Sequence, residues 1–141
     1  VTDARGITFE ARGWIEKPCR EEDTVVELRR QLQPGERWGA WERVSLAPSL
    51  ELVNHSPAGF AWGYAGSGPS QLALALLYAA TGDRDFAVAN HQAFKFEVVA
   101  RLVWPDPWEI HVDVARWAVA STRVASDREP SHGATIVKGA A

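Results

Sequence analysis

Four histidines, one cysteine and a few hydroxyl groups are the side chains in this sequence that could do chemistry. His55 and Ser56 have the types of an acid/base and nucleophile pair, but sequence neighbours seldom face one another as a working dyad. Asn54-His-Ser-Pro57 more readily makes a turn closed by the Asn or Ser side chain. His91 and His111 each lack a second ligand four residues on, the spacing that places two imidazoles on one helical face around zinc. His132 falls in a polar stretch near the C-terminus. Cys19 stands alone, which excludes an intrachain disulfide and a multi-cysteine metal site and leaves an inert thiol. A triad or metal centre assembled from these residues across the fold has no motif behind it. The expectation is a protein that is not an enzyme, with no catalytic residues, no metal and no cofactor.

Phosphate binding is the second chemistry to weigh. Gly66-Ser67-Gly68 runs straight into an apolar helix, and free N–H groups at a helix start favour an anion. The turn lacks the P-loop lysine and the dinucleotide spacing, and no continuous apolar strand precedes it. Four glycines in close succession, Gly59, Gly63, Gly66 and Gly68, imply positive φ or close backbone approach. The main reading is a tight turn packed under aromatic rings. The alternative is a small anion- or nucleotide-binding or hydrolytic protein using Gly66–Gly68 with His55 and Ser56.

Seven tryptophans is a high number for 141 residues. Trp62 and Trp117 are expected in the core. Trp38 and Trp41 flank a turn, and Trp104 and Trp108 bracket Pro105-Asp106-Pro107, with Arg37, Arg43 and Arg101 near them. Tryptophan and arginine are enriched at protein-binding hot spots. The competing role is to cover the domain's own core edges. Surplus aromatics without a catalytic set favour protein binding, through Arg101, Trp104 and Trp108 as one patch and Trp38, Trp41 and Arg43 as another.

Composition sets the outer bounds. A 141-residue chain with 46% hydrophobic and 23% charged residues reads as one ordinary soluble domain. Its net charge of −3, with neither half basic, disfavours affinity built on neutralising phosphates. Twelve arginines against three lysines, two asparagines and no methionine fit a thermophilic source or a GC-rich genome. The leading Val reads as a GUG start codon translated literally. The N-terminal residues lack the apolar stretch of a secretory signal, and the longest apolar run, Leu72 to Ala80, is far short of a membrane span. The expected location is cytoplasmic, without membrane contact.

These residues need elements to position them. Ile7–Ala11 alternates as a strand closing near Gly13-Trp14. Thr24 and Glu27 have capping-box spacing, which favours a short helix over 24–32, against a strand through Val25-Val26. Trp41–Leu46 and Ser49–Val53 read as two short strands or a hairpin around Ala47-Pro48. A buried helix follows over 69–80, with Pro69 at its first position, Gly82 ending it and Asp83 capping the next. That next helix, over 84–102, puts Phe86, Ala89, Ala93, Phe96 and Val99 on its apolar stripe, widened by Phe94, Val98 and Leu102, with Asn90, Gln92, Lys95, Glu97 and Arg101 on the polar faces. Trp104–Trp108 forms a rigid corner, and a last helix spans 112–122. The fold class is therefore α+β: a small antiparallel sheet from the N-terminal half packed on about three helices from the C-terminal half. Residues 1–125 form one globular domain and 126–141 a loosely held tail.

The segment Asn54–Leu77, continued by Phe94–Leu102 and Trp108–Ile110, resembles a family of small proteins of unknown function from phages, bacteria and mobile elements. The shared pattern is N-H-S-P-x-G-F-x-W-G-Y-G-G-S-G-P-x-Q-L-A-L-A-L-L, followed by a phenylalanine-lysine helix and a W-E-L-T-like stop. Only Ala65 departs from it in the turn. The stretch Arg20–Ser45, with Trp38, Trp41 and Arg43, looks like an elaboration on that family. With its size and thermophile-like composition, the chain also resembles the RNA polymerase-binding inhibitors of Thermus bacteriophages. That resemblance implies a partner, the host bacterial RNA polymerase holoenzyme, bound at the β flap and σ region 4. It implies inhibition of −10/−35 promoters, an antitermination effect, and no sequence-specific DNA contact.

Overall fold

The computed structural model describes residues 6–17, 20–123 and 133–140. Cys19, His132 and, of the expected tail, 126–132 and 141 lie outside the described residues. Strand β1 (Thr8–Ile15) alternates, burying Phe9 and Ala11 and turning Glu10 and Arg12 to the other side. Thr24–Gln31 is strand β2, not the helix that its capping-box spacing favours. Three β-branched residues, Thr24, Val25 and Val26, resist helix packing at χ1. Val26 and Leu28 are buried while Glu27 and Arg29 lie on the opposite face, and β1 supplies a full-length antiparallel partner.

The expected strand over 41–46 shrinks to β3 (Glu42–Arg43), paired with β2. In place of a strand over 49–53 the chain forms a short helix, α1 (Ala47–Leu52). Pro48 is tolerated in a first helical turn, and the Ser49 hydroxyl donates to Leu46 O at 2.7 Å.

Helix α2 (Ser67–Thr81) is buried along almost its whole length and starts two residues before Pro69. Pro69 is thus its third residue, where the missing N–H is still one of the four without an intrahelical partner. Gly82 closes α2 in the left-handed region, and the Asp83 side chain accepts from Phe86 N to cap α3 (Arg84–Glu97). The buried stripe of α3 includes Phe94 as expected, but Ala87, His91 and Lys95 join it on the inward face while Phe96 is 58% exposed. The helix stops at Glu97, and a 3-10 turn covers Val99–Arg101.

The helix expected over 112–122 begins only at Val114 (α4, Val114–Arg123). Before it, Trp108, Ile110 and Val112 alternate with Glu109, His111 and Asp113 to make strand β4 (Trp108–Asp113), and Asp113 Oδ1 accepts from Arg116 N at the helix start. A fifth strand, β5 (Ala134–Lys138), lies in the region read as tail and pairs with β4.

The five strands among the described residues are antiparallel, in the order β3-β2-β1-β4-β5. Phe9 sits between Arg30 and Val112, and Ala11 between Leu28 and Ile110. Phe9, Ala11, Leu28, Ile110 and Val112 share one apolar core with Leu72, Leu76, Phe94 and Trp117 from the helices. The fold is α+β, with a sheet that draws two strands from the C-terminal half. No helix among the described residues is long and apolar enough to cross a membrane.

Candidate functional site

Strand alternation gives the sheet a second face, and that face is charged. Glu10 on β1 lies in register between Arg29 on β2 and His111 on β4. Arg29 Nε and Nη2 donate to Glu10 Oε1 at 2.8 and 2.6 Å, and His111 Nδ1–H donates to Oε2 at 3.0 Å. Burial alone pushes the Glu10 carboxyl up, but the hydrogen bonds and charges of His111 and Arg29 outweigh it and hold the group below its ordinary value. One step along the strands, Arg12 donates to Glu27 at 2.9 Å. Arg43 is registered opposite Glu27, Glu109 opposite Arg12 and Lys138 opposite Glu109. Charges therefore alternate across all five strands.

Two indoles lie over this ladder. The guanidinium carbon of Arg12 is 3.9 Å from the Trp41 ring centroid, and that of Arg29 is 4.7 Å from Trp41 and 5.1 Å from Trp38. Trp38 also meets His111 edge-on, with centroids 6.0 Å apart. Each cation–π contact contributes about 0.5–1 kcal/mol when exposed. Together they hold both rings in place, half-buried, beside the exposed Arg43. The connecting loop is anchored by Gly39 N donating to Arg30 O at 2.9 Å and Gln31 Nε2 donating to Glu36 O at 2.7 Å. Behind it runs an open groove lined by Leu28, Arg30, Leu32, Glu36 and Arg37. Sequence reasoning found Trp38, Trp41 and Arg43 but missed Glu10, Arg12, Glu27, Arg29 and His111. Their sequence signal is the i, i+2 spacing of charges in Glu10/Arg12 and Glu27/Arg29, which has meaning only where 24–31 is a strand.

The other expected patch does not assemble. Trp108 is 1% exposed and packs edge-on against Trp62, with centroids 5.8 Å apart. Its indole lies across its cross-strand partner Gly13, where a Cβ would stand 2.6 Å from the ring. Strand alternation turns Trp108 inward, so it is a core residue and not a contact residue. Trp104 is half-buried, 4.8 Å from Trp62 between centroids, while Arg101 is exposed. Trp62 and Trp117 are in the core as expected, and Trp62 Nε1 donates to Val103 O and Asp106 O, each at 3.1 Å. Trp104 backbone and Leu102 O approach Gly63 so closely that a Cβ there would lie 2.8 Å from Trp104 N.

The glycine-rich turn is closed by its own residues. Ser56 Oγ donates to Gly59 O at 2.9 Å and so does not pair with His55. Tyr64 lies on Gly66, and Gly68, Pro69 and Ser70 are buried. Gln71, fully buried, is the hub. Its Oε1 accepts from the backbone N–H groups of His55 and Ser56 at 2.7 and 3.0 Å, and its Nε2 donates to Ser49 Oγ at 2.9 Å and Val53 O at 3.1 Å. His55 is thereby brought against His91, with their Nε2 atoms 2.9 Å apart. Burial first, then the charges of His91 and Lys95, hold the His55 pKa below its ordinary value. No group of three or more metal-ligating His, Cys, Asp or Glu residues occurs among the described residues. Neither Gln71 nor the pairing of two histidines 36 positions apart carries a signal in local spacing.

Residues 28–120, nearly two thirds of the chain, match the family of unknown function DUF6166, and the chain belongs to that family. No curated protein and no solved structure is significantly similar to it. The matched range begins within β2, so Trp38, Trp41 and Arg43 lie inside it. Of the stretch Arg20–Ser45, expected to be an elaboration on the family, only Arg20–Glu27 precedes the match.

Proposed function

We propose that this chain is a phage-encoded regulator that binds the host bacterial RNA polymerase holoenzyme, in the host cytoplasm, at the β flap and σ region 4. By occupying that surface it prevents recognition of −10/−35 promoters and favours antitermination, without catalysing a reaction. The observation that carries the reading is the pair of indoles, Trp38 and Trp41, held by Arg29 and Arg12 beside Arg43 on the charged face. Rings fixed before docking lose less conformational freedom on binding than mobile ones, and Trp and Arg are the side chains that most often anchor interfaces. A net charge of −3 suits competition for a basic protein surface and opposes a DNA-binding role. The choice of polymerase as partner rests on the sequence resemblance to Thermus phage inhibitors.

The test is co-elution of the purified protein with thermophilic RNA polymerase core and holoenzyme, followed by transcription from −10/−35 and extended −10 templates and across a terminator. Binding with loss of the first promoter class alone, and read-through of the terminator, supports the reading. Absence of binding to either form of the enzyme overturns it.

A further inference from the structure

We propose that His55, His91 and Lys95 form a binding site for a terminal phosphate group, separate from the tryptophan–arginine face and independent of the polymerase reading. His91 and Lys95 are one turn apart on the buried stripe of α3. Helical side chains lean toward the N-terminus, which carries the Lys95 stem back over His91. His55 arrives from the turn after α1, fixed there by its backbone N–H on Gln71 Oε1.

The hydrogen bonding assigns the protons. Val88 O can only accept, so His91 Nδ1, 2.8 Å away, carries hydrogen. In its neutral form His91 Nε2 then holds a lone pair, and His55 Nε2–H donates to it across 2.9 Å. Gln92 reaches His91 Nε2 only at 3.4 Å and Ser70 only at 3.5 Å, the long limit of hydrogen bonding. Both amide and hydroxyl can turn to a ligand at small cost.

The charge balance points to an anion. Lys95 is 6% exposed, and its contact among the described residues is the face of exposed Phe96, 4.2 Å from Nζ, with no hydrogen bond or ion pair. The charges of His91 and Lys95 both act on His55. Buried charges are ordinarily paired. An oxyanion supplies the missing partner: it accepts from the Lys95 ammonium and, once the pair takes up a proton and the His55–His91 hydrogen bond opens, from imidazole Nε2–H groups in charge-assisted bonds. A bound metal cation would face the Lys95 charge at close range with fewer than three conventional ligands. A polymer of phosphodiesters fits poorly with an acidic chain.

The experiment follows the imidazole resonances of the full chain by NMR while inorganic phosphate is added, with a short single-stranded oligonucleotide and Zn²⁺ as parallel titrants. The expected result is a saturable shift of both histidines with phosphate and a His55 pKa that rises when phosphate is bound. Lys95→Met, which keeps the apolar stem, should weaken phosphate binding by about tenfold or more. Unmoved histidines in millimolar phosphate, equal affinity for the oligonucleotide, or a response to Zn²⁺ alone would each overturn the assignment. The wild-type titration decides the matter even where the variant fails to fold, and His55→Gln provides a second loss-of-binding variant.

Discussion

Replacing Gln71 by Ala should be among the most damaging single substitutions in this protein, because one side chain satisfies four groups. It accepts from two backbone N–H groups in the His55–Ser56 turn and donates to Ser49 Oγ and Val53 O, tying α1 and the turn to the middle of the core. Alanine leaves those groups without partners and opens a void where a fully buried side chain stood. A typical hydrogen bond nets about 0.5–1.5 kcal/mol, and a group left buried and unpaired costs about 1–3 kcal/mol. Ser49 keeps its bond to Leu46 O, and water can reach the half-buried Val53 and His55. Counting the Ser56 N–H in full and the other three in part puts the loss at about 3–4 kcal/mol. That is a large share of the roughly 5–15 kcal/mol typical of a domain. Urea unfolding followed by tryptophan fluorescence and circular dichroism measures it. A loss below about 1 kcal/mol would refute the hub role, because the groups would then have found other partners at no cost. Gln71→Glu separates polarity from size. It keeps the acceptor but sets a carboxylate against Val53 O, so its stability should recover on acidification, opposite to the wild type.

Gly13→Ala should destabilise by about 2 kcal/mol or more, because its Cβ would stand 2.6 Å from the Trp108 indole, which has no room to withdraw from the core; a thermal melt with unchanged midpoint would count against that packing. Wild-type stability should fall with pH in two stages. The folded His55 binds a proton more weakly than the unfolded one, so its contribution is complete above about pH 6.5 and declines below it. The depressed Glu10 contributes fully above its ordinary carboxyl value and is lost as pH falls through its folded value. Urea midpoints between pH 8 and pH 3 in wild type and His55→Gln check both stages, the variant lacking the upper one. Trp38→Ala with Trp41→Ala should cost little stability, about 1–2 kcal/mol from lost cation–π contacts. The same pair should weaken polymerase binding by about thirtyfold or more if the rings are interface anchors, as measured by competition binding; an undiminished affinity would move the interface elsewhere.

Local patterns were enough wherever one residue type answers one local need. The alternation from Ile7 marks strand β1 (Thr8–Ile15), the apolar run after Gly68 is the central helix, and Gly82 and Asp83 close one helix and open the next. Those features follow from backbone conformations and caps that neighbouring residues determine. Elements that depend on a distant partner were not legible. Thr24–Gln31 has the spacing of a capped helix and becomes a strand because β1 offers it eight paired positions and a buried face. Trp108 has the composition of an exposed corner and becomes core because β4 turns it onto Gly13 and Trp62. Trp38 and Trp41 were recognisable as unusual, yet only the sheet register reveals the Arg12 and Arg29 side chains that hold them. The His55–His91 pair is the extreme case, since its members come from a loop and from α3 and meet where a buried glutamine holds the turn against α2. The sequence by itself determined fold class, caps and the apolar helix. Tertiary structure decided which charges and rings meet, because burial and strand pairing act between residues that no local spacing relates.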